Sequence, residues 1–272
     1  MVGHPISHSR SPAMHAAALA DVGLGDWSYR AIDLAPEAFE MGIRGLARDH
    51  LGVNVTVPHK PAALAVADGA SGAATAIGAA NTLSFVDGAI HAENTDAPGL
   101  LAALPREVAG ARVLVLGAGG AGRAAVWALH GAGARVEVWN RSPERAEQLA
   151  SEMGVAAVRA DPQGTVDTRA VDVIVNTTTV GMKGTGQTFK SLPLAVDHLG
   201  SAQTVVDLAY RDSDTDLLLA ARRQGSAVVD GLEVLVQQGA IAFEIWTGHE
   251  APIATMRLAA RAPHTHTPSR TA

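Results

Sequence analysis

Short, largely apolar runs punctuate the second half of this chain. They fall at residues 112–116, 135–139, 171–176, 204–208 and 227–229. Runs of that length suit strands of a parallel sheet, and the most apolar of them, at 112–116 and 171–176, suit strands buried on both faces. Between and after them lie Ala- and Leu-rich segments at helical spacing, one ending near His130, the others at 217–224, 232–246 and 252–260. Strand and helix alternating in this way predict an α/β fold with a doubly wound sheet. The first hundred residues are more varied. A helix is expected from Ser11, with Pro12 in its first turn, to Asp21. A strand at 29–34 and a helix at 36–48 follow. The segment 51–57 alternates, so Val53, Val55 and Val57 share one face of a strand and Asn54 and Thr56 the other. A helix starts near His59-Lys60 and runs to about residue 68. Residues 81–86 and 89–93 flank Asp87-Gly88, the signature of a tight hairpin turn. Thr95 or Asp96 would cap a helix at 97–104.

The first apolar run of the second half leads into Gly117-Ala118-Gly119-Gly120-Ala121-Gly122. Strand, glycine loop and helix in that order make a dinucleotide-binding turn. Gly117 permits the turn, Gly119 admits a pyrophosphate to the backbone, and Gly122 lets the helix pack closely on the sheet. The unpaired N–H groups at the helix start favour phosphate. The second strand then ends at Asn140-Arg141-Ser142-Pro143-Glu144-Arg145. An NAD-preferring site carries an acid here to hold the ribose 2′-hydroxyl. Two arginines instead attract a 2′-phosphate, so the expected cofactor is NADP. The bland alternative is a pair of solvated arginines, although a helix start is a poor place for a cation.

Composition narrows the field. With 47% hydrophobic residues the 272-residue chain can bury a large core, and with 4% aromatics that core is mainly Ala, Val and Leu. A net charge of −6 does not favour nucleic acid. The absence of cysteine removes disulfides, thiolate metal sites and a cysteine nucleophile. No apolar run approaches a membrane span, and no signal peptide is evident, so a cytoplasmic protein is expected. The segment 263–272, with His264 and His266, reads as a disordered tail rather than a metal site. The lysines are Lys60, Lys183 and Lys190 in a chain whose habitual cation is Arg. Lys60 follows a strand end and opens a helix, where the dipole disfavours it. Lys183 to Lys190 forms a polar loop, expected to be mobile. Ser9 and Ser11 are either capping residues or hydroxyls facing an oxygen-rich ligand, and Asp96 is either a helix cap or a carboxylate near Lys60.

Several islands coincide with one family. They are PISHSRSPAMH at 5–15, NVTVPHK at 54–60, AANTL at 79–83, ENTDAPG at 93–99, LGAGGAG at 116–122, NRSPER at 140–145, NTTTVGM at 176–182, VVDLAY at 205–210 and DGLEVLVQQGAIAFEIWTG at 230–248. In this the chain resembles shikimate dehydrogenases, including their quinate/shikimate relatives. The resemblance implies a Rossmann-like NADP domain at 105–234 and a discontinuous α/β substrate domain at 1–104 and 235–262. It implies reversible reduction of 3-dehydroshikimate to shikimate, a step of aromatic amino-acid biosynthesis, by a monomer or homodimer with no nucleic-acid or membrane partner. Lys60 and Asp96 would be the catalytic pair. Ser9, Ser11, Thr56 and Tyr210 would surround the substrate carboxylate, and Asn81, Asp96 and Gln238 the ring hydroxyls. Gly117, Ala118, Gly119, Gly120, Ala121 and Gly122 would hold the pyrophosphate, Asn140, Arg141, Ser142 and Arg145 the 2′-phosphate end, and Thr177 and Gly231 the nicotinamide side.

The chain departs from the family pattern in three places. Only Met1 and Val2 precede Gly3, where the family has several apolar residues of a first strand, which suggests a start placed late. Arg211-Asp212-Ser213-Asp214 replaces a proline-containing segment after Tyr210, with Thr215 left as the helix cap. Glu93 stands where a neutral residue or Asp is usual, and no physical account of it follows. Two other readings stand beside the main one: a quinate or dual-specificity dehydrogenase using NAD, and a non-catalytic dinucleotide sensor. A sensor has no need for the Lys60–Asp96 pair.

Overall fold

A four-stranded and a six-stranded sheet, with a separate two-stranded pair, carry the molecule in a computed structural model that describes residues 1–182 and 186–263. The expectations for Lys183 and for the tail beyond residue 263 lie outside the described residues. In chain order the elements are β1 (Val2–Gly3), α1 (Ser11–Asp21), β2 (Ile32–Asp33), α2 (Phe39–Leu46), β3 (Gly52–Asn54), α3 (Lys60–Val66), β4 (Gly69–Ala70), α4 (Gly72–Ile77), β5 (Thr82–Val86), β6 (Ala89–Glu93) and α5 (Asp96–Ala103). There follow β7 (Arg112–Leu116), α6 (Gly120–Gly131), β8 (Arg135–Trp139), α7 (Pro143–Met153), β9 (Ala156–Ala157), β10 (Val173–Asn176), α8 (Thr188–Ser191), β11 (Thr204–Asp207), α9 (Asp216–Arg223), β12 (Ala227–Asp230), α10 (Gly231–Thr247) and α11 (Ile253–Arg261).

The second sheet is wholly parallel, in the order β12-β11-β10-β7-β8-β9. Read outward from β7, this is the doubly wound order, with the chain reversing direction across the sheet between β7 and β10. Ligands bind at the carboxyl ends of such a pair of strands, where the Gly117 loop and the Thr177 loop emerge. Strands β10 and β11 are buried at every position, as unbroken apolar runs require.

The first sheet has the order β3-β5-β6-β4, and a single bridge from Val2 to Val55 ties it to the β1–β2 pair. Val2 is fully buried, so even this two-residue strand fills an interior place in the sheet. The Asp87-Gly88 turn is as expected: φ is 51° at Asp87 and 80° at Gly88, and the flanking strands pair in register. Other expectations change. The 51–57 strand shortens to β3 because the chain turns at Val57-Pro58, the His59 N–H donating to the Thr56 carbonyl, and Val57 is exposed rather than sharing the buried face of Val53 and Val55. The 36–48 helix splits into a 3₁₀ turn and α2. Lys190, expected in a loop, lies in the single turn of α8. Helix α4 has no counterpart in the sequence pattern, although Ser71 caps it by accepting from the Ala74 N–H and Gly78 ends it in the left-handed conformation.

Helices α1, α10 and α11 pack together through Met14, Ala18, Val236, Phe243 and Met256. Within that core His15 is buried, stacked on Tyr29 with ring centroids 4.1 Å apart, and its Nε2 has no partner. Burial pushes its pKa down to about 3. An imidazole lowered below its unfolded value stabilises the fold fully above about pH 6.5, and that stability is lost as pH falls toward 3. About 1.4 kcal/mol is lost per pH unit, so about 2 kcal/mol between pH 6.5 and 5. His15→Leu should flatten this acid limb in urea melts at pH 7 and pH 5. The packing cost is common to both pH values and cancels in the difference. An unchanged pH dependence in the variant would refute the assignment.

Candidate active site

Lys60 and Asp96 come from different helices of the first half, each at the first position of its helix. Lys60 Nζ lies 2.5 Å from Asp96 Oδ2, and the side chains are 12% and 19% exposed. Such a pair keeps one face to a cleft while most of each group is out of water. The other carboxylate oxygen, Oδ1, accepts from Asn81 Nδ2 at 3.0 Å. Asn81 Nδ2 also reaches Thr95 Oγ1 and the Gln238 Oε1, at 3.0 and 3.1 Å. Its Oδ1 accepts from the Thr95 N–H at 2.7 Å. The network leaves the Asn81 amide with its donors facing Asp96. Gln238 arrives on α10, which crosses α5 closely because Gly99 has no side chain; a Cβ there would sit 2.7 Å from the Gln238 Cα.

Neither Thr95 nor Asp96 caps α5 by its side chain, contrary to expectation. Asn94 does so, its Oδ1 accepting from the Ala97 N–H at 3.2 Å. That frees Thr95 for the network and Asp96 for Lys60. Ser11 likewise does not cap α1: the N-cap position is Arg10, and the Ser11 N–H donates to Ser9 Oγ at 3.2 Å. The two serines are thus folded onto one turn, 6% and 2% exposed. Tyr210 approaches this turn from the second half, within hydrogen-bonding reach of Ser9 and the Arg10 backbone; burial raises its phenol pKa against their opposing pull.

One cleft is lined by Ser9, Ser11, Thr56, Lys60, Asn81, Asp96, Tyr210 and Gln238, together with Ala121, Thr177 and Gly231 from the nucleotide-side loops. Every substrate-side and catalytic residue expected from sequence therefore lines a single cavity. Other residues, to which the sequence assigns no role, also line it, among them Asn54, Met182 and Leu235. Asn54 is legible as the partner of Thr56 on one strand face. The amide of Asn54 accepts from Tyr29 Oη at 2.6 Å and donates to Thr82 Oγ1 at 3.1 Å, so it extends the polar floor of the cleft.

The glycine loop has the geometry a dinucleotide needs. Gly117 has φ 112°, a conformation L side chains avoid. A Cβ on Gly122 would meet the Gly117 carbonyl at 2.2 Å, whereas nothing lies within 4 Å of one on Gly119. Gly119 thus faces the open space a pyrophosphate would fill. The Ala118 N–H is held by Asn140 Oδ1 at 3.2 Å, and Asn140 Nδ2 donates to the Ser142 carbonyl at 3.0 Å. Arg141 and Arg145 are exposed and enter no ion pair among the described residues. Thr177 Oγ1 donates to the Leu116 carbonyl at 2.8 Å and fixes the opposite loop. At Gly231 a Cβ would collide with the Leu208 carbonyl at 2.5 Å. An open, exposed Gly119 before the start of α6 and two exposed arginines outside any ion pair of the described residues fit the charge of NADP.

The sequence and the fold both have relatives among known proteins. Models of the shikimate dehydrogenase substrate-binding domain, of shikimate/quinate 5-dehydrogenase and of the shikimate 5′-dehydrogenase C-terminal domain match residues 1–83, 101–212 and 231–261. A shikimate dehydrogenase (NADP⁺) of Thermus thermophilus is 44% identical over 250 residues, 91% of each chain. The crystal structure of a Thermus thermophilus shikimate 5-dehydrogenase in complex with NADP(H) and shikimate superposes with a TM-score of 0.86, covering 96% of this chain and 97% of that one at 44% identity. A 5-ketofructose reductase of Gluconobacter sp. shares the architecture at 29% identity, with a TM-score of 0.85 and 95% of each chain covered. Consecutive family models along the length, and a relative of this identity over nine-tenths of it, place the chain in the shikimate dehydrogenase family.

Proposed function

We propose that the protein catalyses the NADP-linked, reversible reduction of 3-dehydroshikimate to shikimate. The observation that carries this reading is the Lys60–Asp96 pair at 2.5 Å, set in the same cleft as the glycine loop and the Ser9–Ser11 turn. Reducing a ketone makes an alkoxide that needs a proton as it forms. The Lys60 ammonium supplies that proton and stabilises the negative oxygen in one step, and in the reverse direction the amine takes the proton back. Asp96 holds the ammonium in line, and Asn81 holds Asp96 from behind. Ser9, Ser11, Thr56 and Tyr210 bind the substrate carboxylate; Asn81 and Gln238 orient the ring hydroxyls. Residues 117–122 hold the pyrophosphate, Asn140, Arg141, Ser142 and Arg145 the 2′-phosphate end of the adenosine, and Thr177 and Gly231 border the nicotinamide. NADPH, when bound, supplies the hydride. Residues 1–104 with 235–262 act as the substrate domain and 105–234 as the nucleotide domain, working in the cytoplasm.

Purified protein incubated with shikimate or quinate, each with NADP or NAD, tests the reading by the absorbance of reduced cofactor. Shikimate with NADP should be the productive mixture by at least about tenfold. Greater activity with quinate and NAD would favour the dual-specificity reading. A folded protein inactive in all four mixtures would favour the sensor.

A further inference from the structure

Arg123 directly follows Gly122, the last glycine of the loop, and lies in the first turn of α6, where the helix dipole disfavours a cation. Its side chain instead bridges two other helices. Its Nε donates to the carbonyl of Ile77, the last residue of α4 in the first half, and its Nη1 donates to Glu152 Oε2 of α7 at 2.6 Å. That hydrogen bond is the chief reason the Glu152 carboxyl is held below its ordinary value. Gly78 admits the guanidinium: a Cβ there would stand 2.7 Å from Nη2. The negative end of the α4 dipole thus receives the charge that the start of α6 repels.

Two neighbouring contacts lie on the same helix. Gly120, one turn before Arg123, abuts Lys60: a Cβ on it would lie 3.0 Å from Lys60 Cβ and 3.2 Å from Cδ. Ala124 and Ala128 pack with Ile77, Ala79 and Ala97 in one buried apolar cluster. Helix α6 therefore touches the substrate half at the start of α3, the end of α4 and the start of α5. Arg123 supplies the polar, directional contact of the three. The peptide it grips at Ile77 leads within four residues to Asn81, the donor to Asp96.

We infer that Arg123 is a positioning residue, whose guanidinium pins the first turn of α6 to the end of α4 and so sets the distance between the glycine loop and the Lys60–Asp96 pair. The inference rests on the dehydrogenase reading for its kinetic consequence. Misplacement of reacting groups by about 1 Å can cost about a hundredfold in rate. Arg123→Ala should therefore lower kcat by about 10- to 100-fold. Each ligand alone still meets an intact subsite, so the separate dissociation constants of shikimate and NADP should change less than about threefold. Arg123→Lys keeps a donor for the Ile77 carbonyl and should stay within about fivefold of the wild-type kcat. Gly78→Ala crowds the same contact from the other half, in addition to straining the left-handed end of α4, and should lower kcat at least as far. Hydrogen exchange supplies a readout independent of substrate: amides of residues 72–81 and 117–123 should exchange faster in Arg123→Ala, with β10 and β11 unaffected.

Unchanged exchange in these two segments would overturn the inference whether or not shikimate is the substrate. So would wild-type kcat in a folded Arg123→Ala or Gly78→Ala protein beside an active wild type. A loss confined to NADP affinity would make Arg123 a cofactor ligand and overturn it equally. Inactivity of the wild type itself counts against the dehydrogenase reading alone, so the two fail separately.

Discussion

Lys60→Ala is expected to lower kcat by about a thousandfold or more while shikimate affinity changes by less than about tenfold. General acid catalysis by a placed group is worth about 10² to 10⁴ in rate. Electrostatic stabilisation of the forming alkoxide adds to that in a site closed to most water. The ammonium is held by Asp96 at 2.5 Å, and the side chain is only 12% exposed, so bulk water is a poor substitute donor. In the proposed site, shikimate affinity would rest instead on the Ser9–Ser11 turn, Thr56 and Tyr210, which line the same cleft and which Lys60 does not build. Lys60→Arg separates charge from proton transfer, because a guanidinium keeps the charge and does not give up its proton. It should fall about a hundredfold or more in kcat. Steady-state kinetics with a direct titration of shikimate separates the two terms. Turnover near the wild-type value in Lys60→Arg would remove Lys60 from the proton-transfer role.

What the sequence discloses here is mostly local. The glycine loop, the Asp87-Gly88 hairpin and the parallel strands each depend on a few adjacent residues, and each forms where its pattern lies. Caps are harder to read, because short polar side chains at consecutive positions compete for the same N–H groups. At Asn94-Thr95-Asp96 the first residue takes the cap, which releases the other two inward. The strand through Val57 ends earlier than its pattern, because alternation continues into a turn that only the fold reveals. Helix α4 lacks a strong apolar stripe in its six residues, so neither period nor length marks it. The meeting of Lys60 with Asp96 across 36 residues, and of Asn81 with Gln238 across 157, follows from tertiary packing. Only the family resemblance gives access to those partners. Even that resemblance assigns roles to cleft-lining residues and passes over Thr95, Asn94 and Gly99, which hold those side chains in place.

Replacing both Arg141 and Arg145 with Ala should lower kcat/KM for NADP by about 10² to 10³ and leave kcat/KM for NAD within about threefold. Both guanidiniums are exposed and enter no ion pair among the described residues, so removing them breaks no internal ion pair of the described fold. A hydrogen bond to a charged group contributes about 1.5 to 3 kcal/mol. Two such bonds to a 2′-phosphate, discounted for their exposure to solvent, come to about 3 to 4 kcal/mol, which is the predicted hundred- to thousandfold. NAD has a hydroxyl in place of that phosphate and gains little from either arginine. The two losses therefore diverge, which a general defect in the site would not produce. Asn140 is spared because it braces the glycine loop through the Ala118 N–H, and its loss would weaken both cofactors. Raising salt should erode the wild-type preference for NADP in the same direction, since exposed charges are screened over about 8 to 10 Å at ordinary ionic strength. Equal losses with NADP and NAD in the double variant would show that the arginines hold the loop and not the phosphate.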